Sequence, residues 1–305
     1  MANSLIYILL KLSYYSYLIT SIIGLITNLI AFVIFSRKNY QNTVFSIYYR
    51  FLTLFCFLSS LIIPISKYFE FNFEISFWLD NDVLCKFRMF TFYSIQPVLG
   101  WGLVVISIDR YFSIACPFIF LIRKNKIFQI TVCCGVIVYN LIYNSPFLFF
   151  YIKTKINFNN QTNQTNIIKS CTNDFYQKDW FNLFNLCIIP FCLMFIFSLL
   201  TSSFIFKSRT LHNRNYSSST KKRDIRFAVS SIVTNLIFLL LNLPHAFYII
   251  LINVLSYKIN DKNIQNLILS IFYFFSYLSS SSVFFINLIL SLKFRNEFKR
   301  MFRLK

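Results

Sequence analysis

Asp109 and Arg110 stand side by side at the end of a long apolar run, Met89 to Ile108, and are its first charges. An adjacent carboxylate and guanidinium at the mouth of an apolar helix form a charge-assisted pair, dry on one side and wet on the other. The plain use of such a pair is an interfacial arginine that reaches for lipid headgroups beside its paired acid. The other use is a switch, in which the arginine exchanges one partner for another. Few other residues offer chemistry. His212 and His245 are far apart, and the 8 Cys contain no C-x-x-C pair, so a zinc or redox centre is not expected. An intramembrane enzyme would need paired acids, a Ser/His pair or a His cluster within apolar segments, and His245 stands alone there. No cofactor is expected.

The elements that carry these residues are apolar helices. The chain has 305 residues, is 57% hydrophobic and only 13% charged; soluble domains are nearer a quarter charged. Just 4 Gly and 6 Pro interrupt it, which favours helices over the short, turn-separated strands of a membrane barrel. Runs long enough to cross the hydrocarbon fall at about 15–35, 44–65, 85–110, 127–150, 181–206, 223–252 and 264–290. The residues before the first run read as a short tail rather than a cleaved leader, because no basic start and no small-residue cleavage site frame them. After the last run, Phe294, Phe298, Met301 and Phe302 share one face with bases opposite, an amphipathic surface helix at about 292–303. The expected architecture is therefore all-α: one seven-transmembrane domain over 1–305 with a short C-terminal surface helix.

Charge sets the expected orientation. With segments assigned alternately to two sides, 20 of the 30 Lys and Arg fall on the side of the C-terminus and 10 on the side of the N-terminus, and 7 of the 10 acids accompany the latter. The positive-inside rule then places the N-terminus outside and the C-terminus in the cytoplasm of a multi-pass cell-membrane protein. The net charge of +20 thereby becomes mostly cytoplasmic, suited to anionic lipid and an acidic cytosolic partner rather than nucleic acid. Two sequons, at Asn160 and Asn163, fall outside, where glycosylation is possible. Arg110 lies 25 positions after Cys85, roughly 37 Å of helix, so the two sit at opposite membrane faces.

Asp109-Arg110-Tyr111, a Cys at the far end of the same helix and Pro117 just past the motif together resemble the third helix of rhodopsin-like G-protein-coupled receptors. Asn28 in the first helix, Ser46-Ile47-Tyr48-Tyr49-Arg50 opening the second, Pro146, Phe238 and Pro244 extend the resemblance along most of the chain. It implies a receptor that binds an extracellular ligand and activates a heterotrimeric G protein through outward movement of the sixth helix. It implies a disulfide between Cys85 and Cys171, both outside and so in a permissive compartment. It implies that Arg110 pairs with Asp109 and with Asp224 at the base of the sixth helix in the resting state. Phe238, Asn242 and Pro244 correspond to the hinge of that helix, with Asn242 where an aromatic is usual.

Several departures mark a divergent member, expected to be peptide-receptor-like. Cys56 stands where the family has a sodium-binding Asp, and a thiol is a poor ligand for a hard cation. The fourth helix lacks its Trp near Val136, Pro97 interrupts the third, and the seventh lacks Asn-Pro-x-x-Tyr: aligned on Phe294, its ends fall at Val283 and Asn287; aligned on Asn287, it reads Asn287-Leu-Ile-Leu-Ser291. The cavity wall expected from Phe92, Tyr93, Gln96, Asn242 and His245 is aromatic, neutral and polar. It holds no acid for a protonated amine, and no Lys between 264 and 290 could bind retinal. Glu70, Glu74, Asp80 and Asp82 suggest an acidic vestibule suited to a basic peptide, favoured over a lipid or other small chemosensory ligand. A transporter or channel is the competing class, but the chain shows no half-to-half repeat and no mid-span acid.

Overall fold

Hydrocarbon cannot satisfy a backbone amide, so apolar runs of this length close their hydrogen bonds internally as helices. The computed structural model describes residues 2–41, 43, 45–73, 79, 81–116, 125–149, 151–159, 164–172, 183–211, 218–253 and 261–302, with side chains described outside 2–7, 41, 71, 154–170, 172, 206–228, 252–253 and 262. Seven helices are long and apolar enough to cross a membrane. In chain order they are Ala2–Ser36, Ser46–Phe73, Asp82–Ala115, Lys126–Tyr143, Ile189–Leu211, Ser218–Asn253 and Lys262–Leu290, numbered first to seventh below. A short turn of helix, Lys38–Gln41, links the first two, and a terminal helix, Leu292–Met301, follows the seventh. The expected tail before the first span is thus helical from Ala2 onward.

The helices face outward with apolar side chains and bury a mixture of apolar and polar ones inside. On the first helix Ile19, Ile22, Ile26, Leu29 and Val33 are exposed at alternating spacings of three and four, while Tyr17, Ser21, Gly24, Asn28 and Ala31 on the opposite face are buried. Against lipid, an apolar stripe gains nothing by hiding, so small and polar residues form the helix contacts. Gly24 shows why: a Cβ there would meet Ser60 of the second helix, within 2.9 Å of its Cβ. Ser21 Oγ donates to the Ser60 carbonyl at 2.6 Å, and Ser60 Oγ reaches Ser280 Oγ of the seventh helix at 3.3 Å.

Helix ends follow local chemistry. Asn81, Asn125 and Asp261 cap the third, fourth and seventh helices through side-chain oxygens that accept from backbone N–H groups. Pro146 closes the fourth span in a 3-10 turn, Ser145–Phe149. Pro190 cannot donate to the preceding turn, and a widened π turn, Phe184–Ile188, precedes it. Pro97 lies buried in an unbroken third helix. The third helix is the axis of the bundle, in contact with the second, fourth, fifth and sixth. The polar loop after the fourth helix forms an antiparallel hairpin, β1 (Tyr151–Asn159) paired with β2 (Gln164–Thr172), the one strand pair among the described residues.

Candidate functional site

At the C-terminal end of the third helix Asp109 and Arg110 are both buried. The Arg110 guanidinium carbon lies 4.3 Å from the centroid of the Phe45 ring, and Arg110 is hydrogen-bonded to the buried Tyr49 phenol. The base of the second helix therefore wraps Arg110 in aromatic surface. Tyr111 points toward the fifth helix, its ring 5.8 Å from Phe197. Asp224 lies in the first two turns of the sixth helix, and its side chain falls outside the described ones.

One turn deeper, Asn235 of the sixth helix joins three helices. Its Nδ2 donates to Ser107 Oγ at 2.8 Å and to Ser198 Oγ at 2.9 Å. Higher still, Phe238 is buried with its ring 6.0 Å from Phe191. Gly100 faces it: a Cβ there would sit 3.4 Å from Pro190 and 3.5 Å from Phe238. Neither Asn235 nor Gly100 stood out as a site residue in the sequence. An amide in the middle of an apolar run was the available signal for Asn235; Gly100 had none.

In the outer half, Asn242 Nδ2 donates to the Phe238 carbonyl at 2.8 Å while its Oδ1 accepts from Ser276 Oγ at 2.7 Å. Gln96 Nε2 donates to the same Ser276 hydroxyl at 3.3 Å, so a polar chain ties the third, seventh and sixth helices. Pro244 follows within the same helix. His245 is buried with its ring 4.9 Å from Tyr273. Phe92 packs against the cluster of Tyr14, Tyr17, Ile63 and Tyr277. Tyr93 meets the Phe92 ring at 5.2 Å on one side and stacks on Phe147 at 4.0 Å on the other, beside Cys85 and Cys171. Tyr93 faces the fourth-helix side because it is one residue, about 100° of helix turn, beyond Phe92.

Cys85 and Cys171 are joined in a disulfide, Cα to Cα 5.8 Å, which pins β2 to the top of the third helix. Of the acids expected to form a vestibule, Glu70 Oε2 takes Arg88 Nη2 at 2.6 Å and Lys67 Nζ at 3.2 Å. Asp82 Oδ1 accepts from the Ile152 backbone N–H at 2.8 Å and holds the hairpin. Glu74 and Asp80 lie outside the described residues, as do Asn160 and Asn163. No group of His, Cys, Asp and Glu among the described residues is placed to hold a metal, and Cys56 is a buried packing residue whose carbonyl accepts from Ser60 Oγ.

The seventh helix meets the terminal helix through Phe284, 5.7 Å from Phe294 and 5.9 Å from Phe298. Phe294 is fully buried against Phe35 as well. Val283 and Asn287 are both buried, and Asn287 Nδ2 donates to the Val283 carbonyl at 2.8 Å. On the polar side Glu297 gathers Arg37 at 3.2 Å, Asn39 at 2.6 Å and Arg300 at 3.0 Å.

Seven apolar helices around a buried Asp-Arg pair, with a disulfide at the opposite end of the same helix, define a heptahelical membrane protein of receptor type. The chain belongs to the 7 transmembrane receptor (rhodopsin) family, whose model matches residues 27–282. The match stops just before the Val283–Asn287 stretch, where the family motif is altered. Comparison with individual curated proteins finds no match.

Proposed function

We propose that the chain is a cell-surface receptor that binds an extracellular peptide and activates a cytoplasmic heterotrimeric G protein through outward movement of the sixth helix. The observation that carries this reading is Arg110, buried at the inner end of the central helix against Phe45 and Tyr49. A cation held in a partly dry aromatic site is ready to exchange partners, which an arginine serving only as a lipid anchor would not require. Asp109, Arg110, Tyr111 and Asp224 form the switch, and Phe238, Asn242 and Pro244 the hinge of the moving helix. The charge asymmetry supports an outside N-terminus and a cytoplasmic C-terminus, with Asn160 and Asn163 as glycan acceptors.

A peptide is supported by the hairpin tied over the outer end. The outer edges of a two-stranded ribbon offer backbone groups to an extended chain. Phe92, Gln96, Asn242 and His245 supply an aromatic, polar floor beneath it.

The test is nucleotide exchange on co-expressed G proteins at matched surface levels. Arg110→Ala should abolish exchange. Asp224→Asn should raise the basal rate several-fold, the effect of a shift of about 1 kcal/mol in the resting-to-active balance. Unchanged exchange in both variants would overturn the coupling reading. Terminal tags on intact cells test orientation: equal antibody access to both ends contradicts it.

A further inference from the structure

We propose that the receptor signals without a ligand, because the face of the sixth helix that outward movement uncovers is polar and suited to water. This rests on the G-protein-coupling reading and adds to it an activity in the absence of ligand.

The chemistry of the sixth helix changes along its length. Between Val229 and Ile237 its buried residues are Ser230, Ser231, Thr234 and Asn235, each no more than 3% exposed. Their spacing puts them on one face of the helix. Val229 and Leu236 are 43% and 48% exposed, so the apolar side chains of this stretch lie on the other side. Phe238 is the next buried residue and the first apolar one. Polar groups meet the face from across the seam: Asn235 reaches Ser107 of the third helix and Ser198 of the fifth, and Thr201, one turn along from Ser198, is buried.

The hydrogen bonds of this seam let the helices part cheaply. Thr234 Oγ1 donates to the Ser230 carbonyl at 2.8 Å, Thr201 Oγ1 to the Phe197 carbonyl at 2.6 Å and Ser107 Oγ to the Leu103 carbonyl at 2.7 Å. Each of these bonds lies within one helix and travels with it. Among the described residues, the bonds that cross the seam from the sixth-helix face are the two made by Asn235. Ser230 Oγ and Asn235 Oδ1 are buried with no partner at all. A buried polar atom left unmet costs free energy, and water entering an opened seam would recover it. A leucine or valine face would do the reverse, since opening would return hydrocarbon to water. The closed form is left to depend on Asn235 and on the contacts of Arg110 with Phe45 and Tyr49. A gap that small keeps part of the population open with no ligand bound.

Basal nucleotide exchange on co-expressed G proteins, at matched surface levels, should stand several-fold above that of Arg110→Ala. Ser230→Ala, Ser231→Ala and Thr234→Val combined make the face apolar and should lower the basal rate several-fold. Leu236→Ala, on the exposed side, should leave it unchanged. A second readout needs no G protein. In the purified full-length receptor without ligand, the Ser230→Cys thiol should react with a water-soluble methanethiosulfonate, while the native buried Cys56 and Cys187 stay unmodified by mass spectrometry of the same sample. An inert Ser230→Cys thiol, modification of all three together as in unfolding, or a basal rate unchanged in the combined variant would overturn the proposal. If a peptide pool drives exchange while the basal rate matches Arg110→Ala, this inference fails and the coupling reading stands. If the Ser230→Cys thiol reacts but exchange occurs neither with nor without peptides, both signalling readings fail.

Discussion

Arg110 and Phe45 are partners: the guanidinium carbon lies 4.3 Å from the ring centroid, and both residues are buried at the inner end of the bundle. A desolvated cation over an aromatic face is worth about 1–2 kcal/mol, and on the proposed mechanism Arg110 would give it up on activation. Phe45→Leu keeps apolar volume and removes the π face. It should raise basal nucleotide exchange several-fold at matched surface level, whereas Phe45→Tyr should remain near wild type. Equal basal rates in the two variants would remove this contact from the resting state.

Asn235 should act in the same direction from one turn deeper. Its two amide hydrogens are spent on Ser107 and Ser198, so outward movement of the sixth helix breaks both bonds. Asn235→Leu should raise basal exchange, with each lost bond contributing about 1 kcal/mol. A double-mutant cycle with Ser107→Ala isolates the shared term. Strictly additive effects would mean that the two residues act separately.

The glycines differ in what surrounds them. Gly24→Ala would drive a methyl group into Ser60 and should lower Tm and surface expression by an overpacking cost of about 1–3 kcal/mol. A Cβ at Gly135 would meet nothing, so Gly135→Ala should gain about 1 kcal/mol of helix propensity. Thermal denaturation of the two purified variants should therefore move in opposite directions.

Removing the disulfide opens a separation of 86 residues. Chain-entropy arguments put such a closure at about 4–5 kcal/mol. Cys85→Ala and Cys171→Ala should each lower surface expression, and the double variant should be no worse than either one. Additive losses would argue against a common bond.

Glu297 makes docking of the terminal helix pH-dependent. Burial alone would push its carboxyl upward, but hydrogen bonds from Asn39 and Arg37 and the Arg300 charge outweigh burial and hold it below the ordinary carboxylate value. A depressed carboxylate stabilises the docked state above its undocked pKa. That contribution is lost as pH falls through the lower, docked value. The protection factors of amides 292–301, corrected for the intrinsic slowing of exchange in acid, should be high at neutral pH and fall on acidification. In Glu297→Gln they should be lower at neutral pH and flat across that range.

The membrane class and the number of spans were legible in the sequence because hydrocarbon thickness demands about 20 apolar residues per crossing, and seven runs meet that length. Cys85 and Cys171 could be paired on resemblance and sidedness, and Arg110 could be placed at an inner helix end by counting residues. Tertiary structure alone decided which polar groups share a partner. Helical periodicity says that Asn235, Asn242 and the serines of the seventh helix face inward, but not which hydroxyl each one meets. That choice depends on the rotation and depth of two helices to within an ångström, as a hydrogen bond requires. The same limit explains Tyr93, one residue from Phe92 yet stacked on Phe147, and Phe45, an apolar residue whose use is to hold a cation. It explains Glu70 too: the sequence shows an acid near one loop, and only the fold sets Lys67 from its own helix and Arg88 from the next against it.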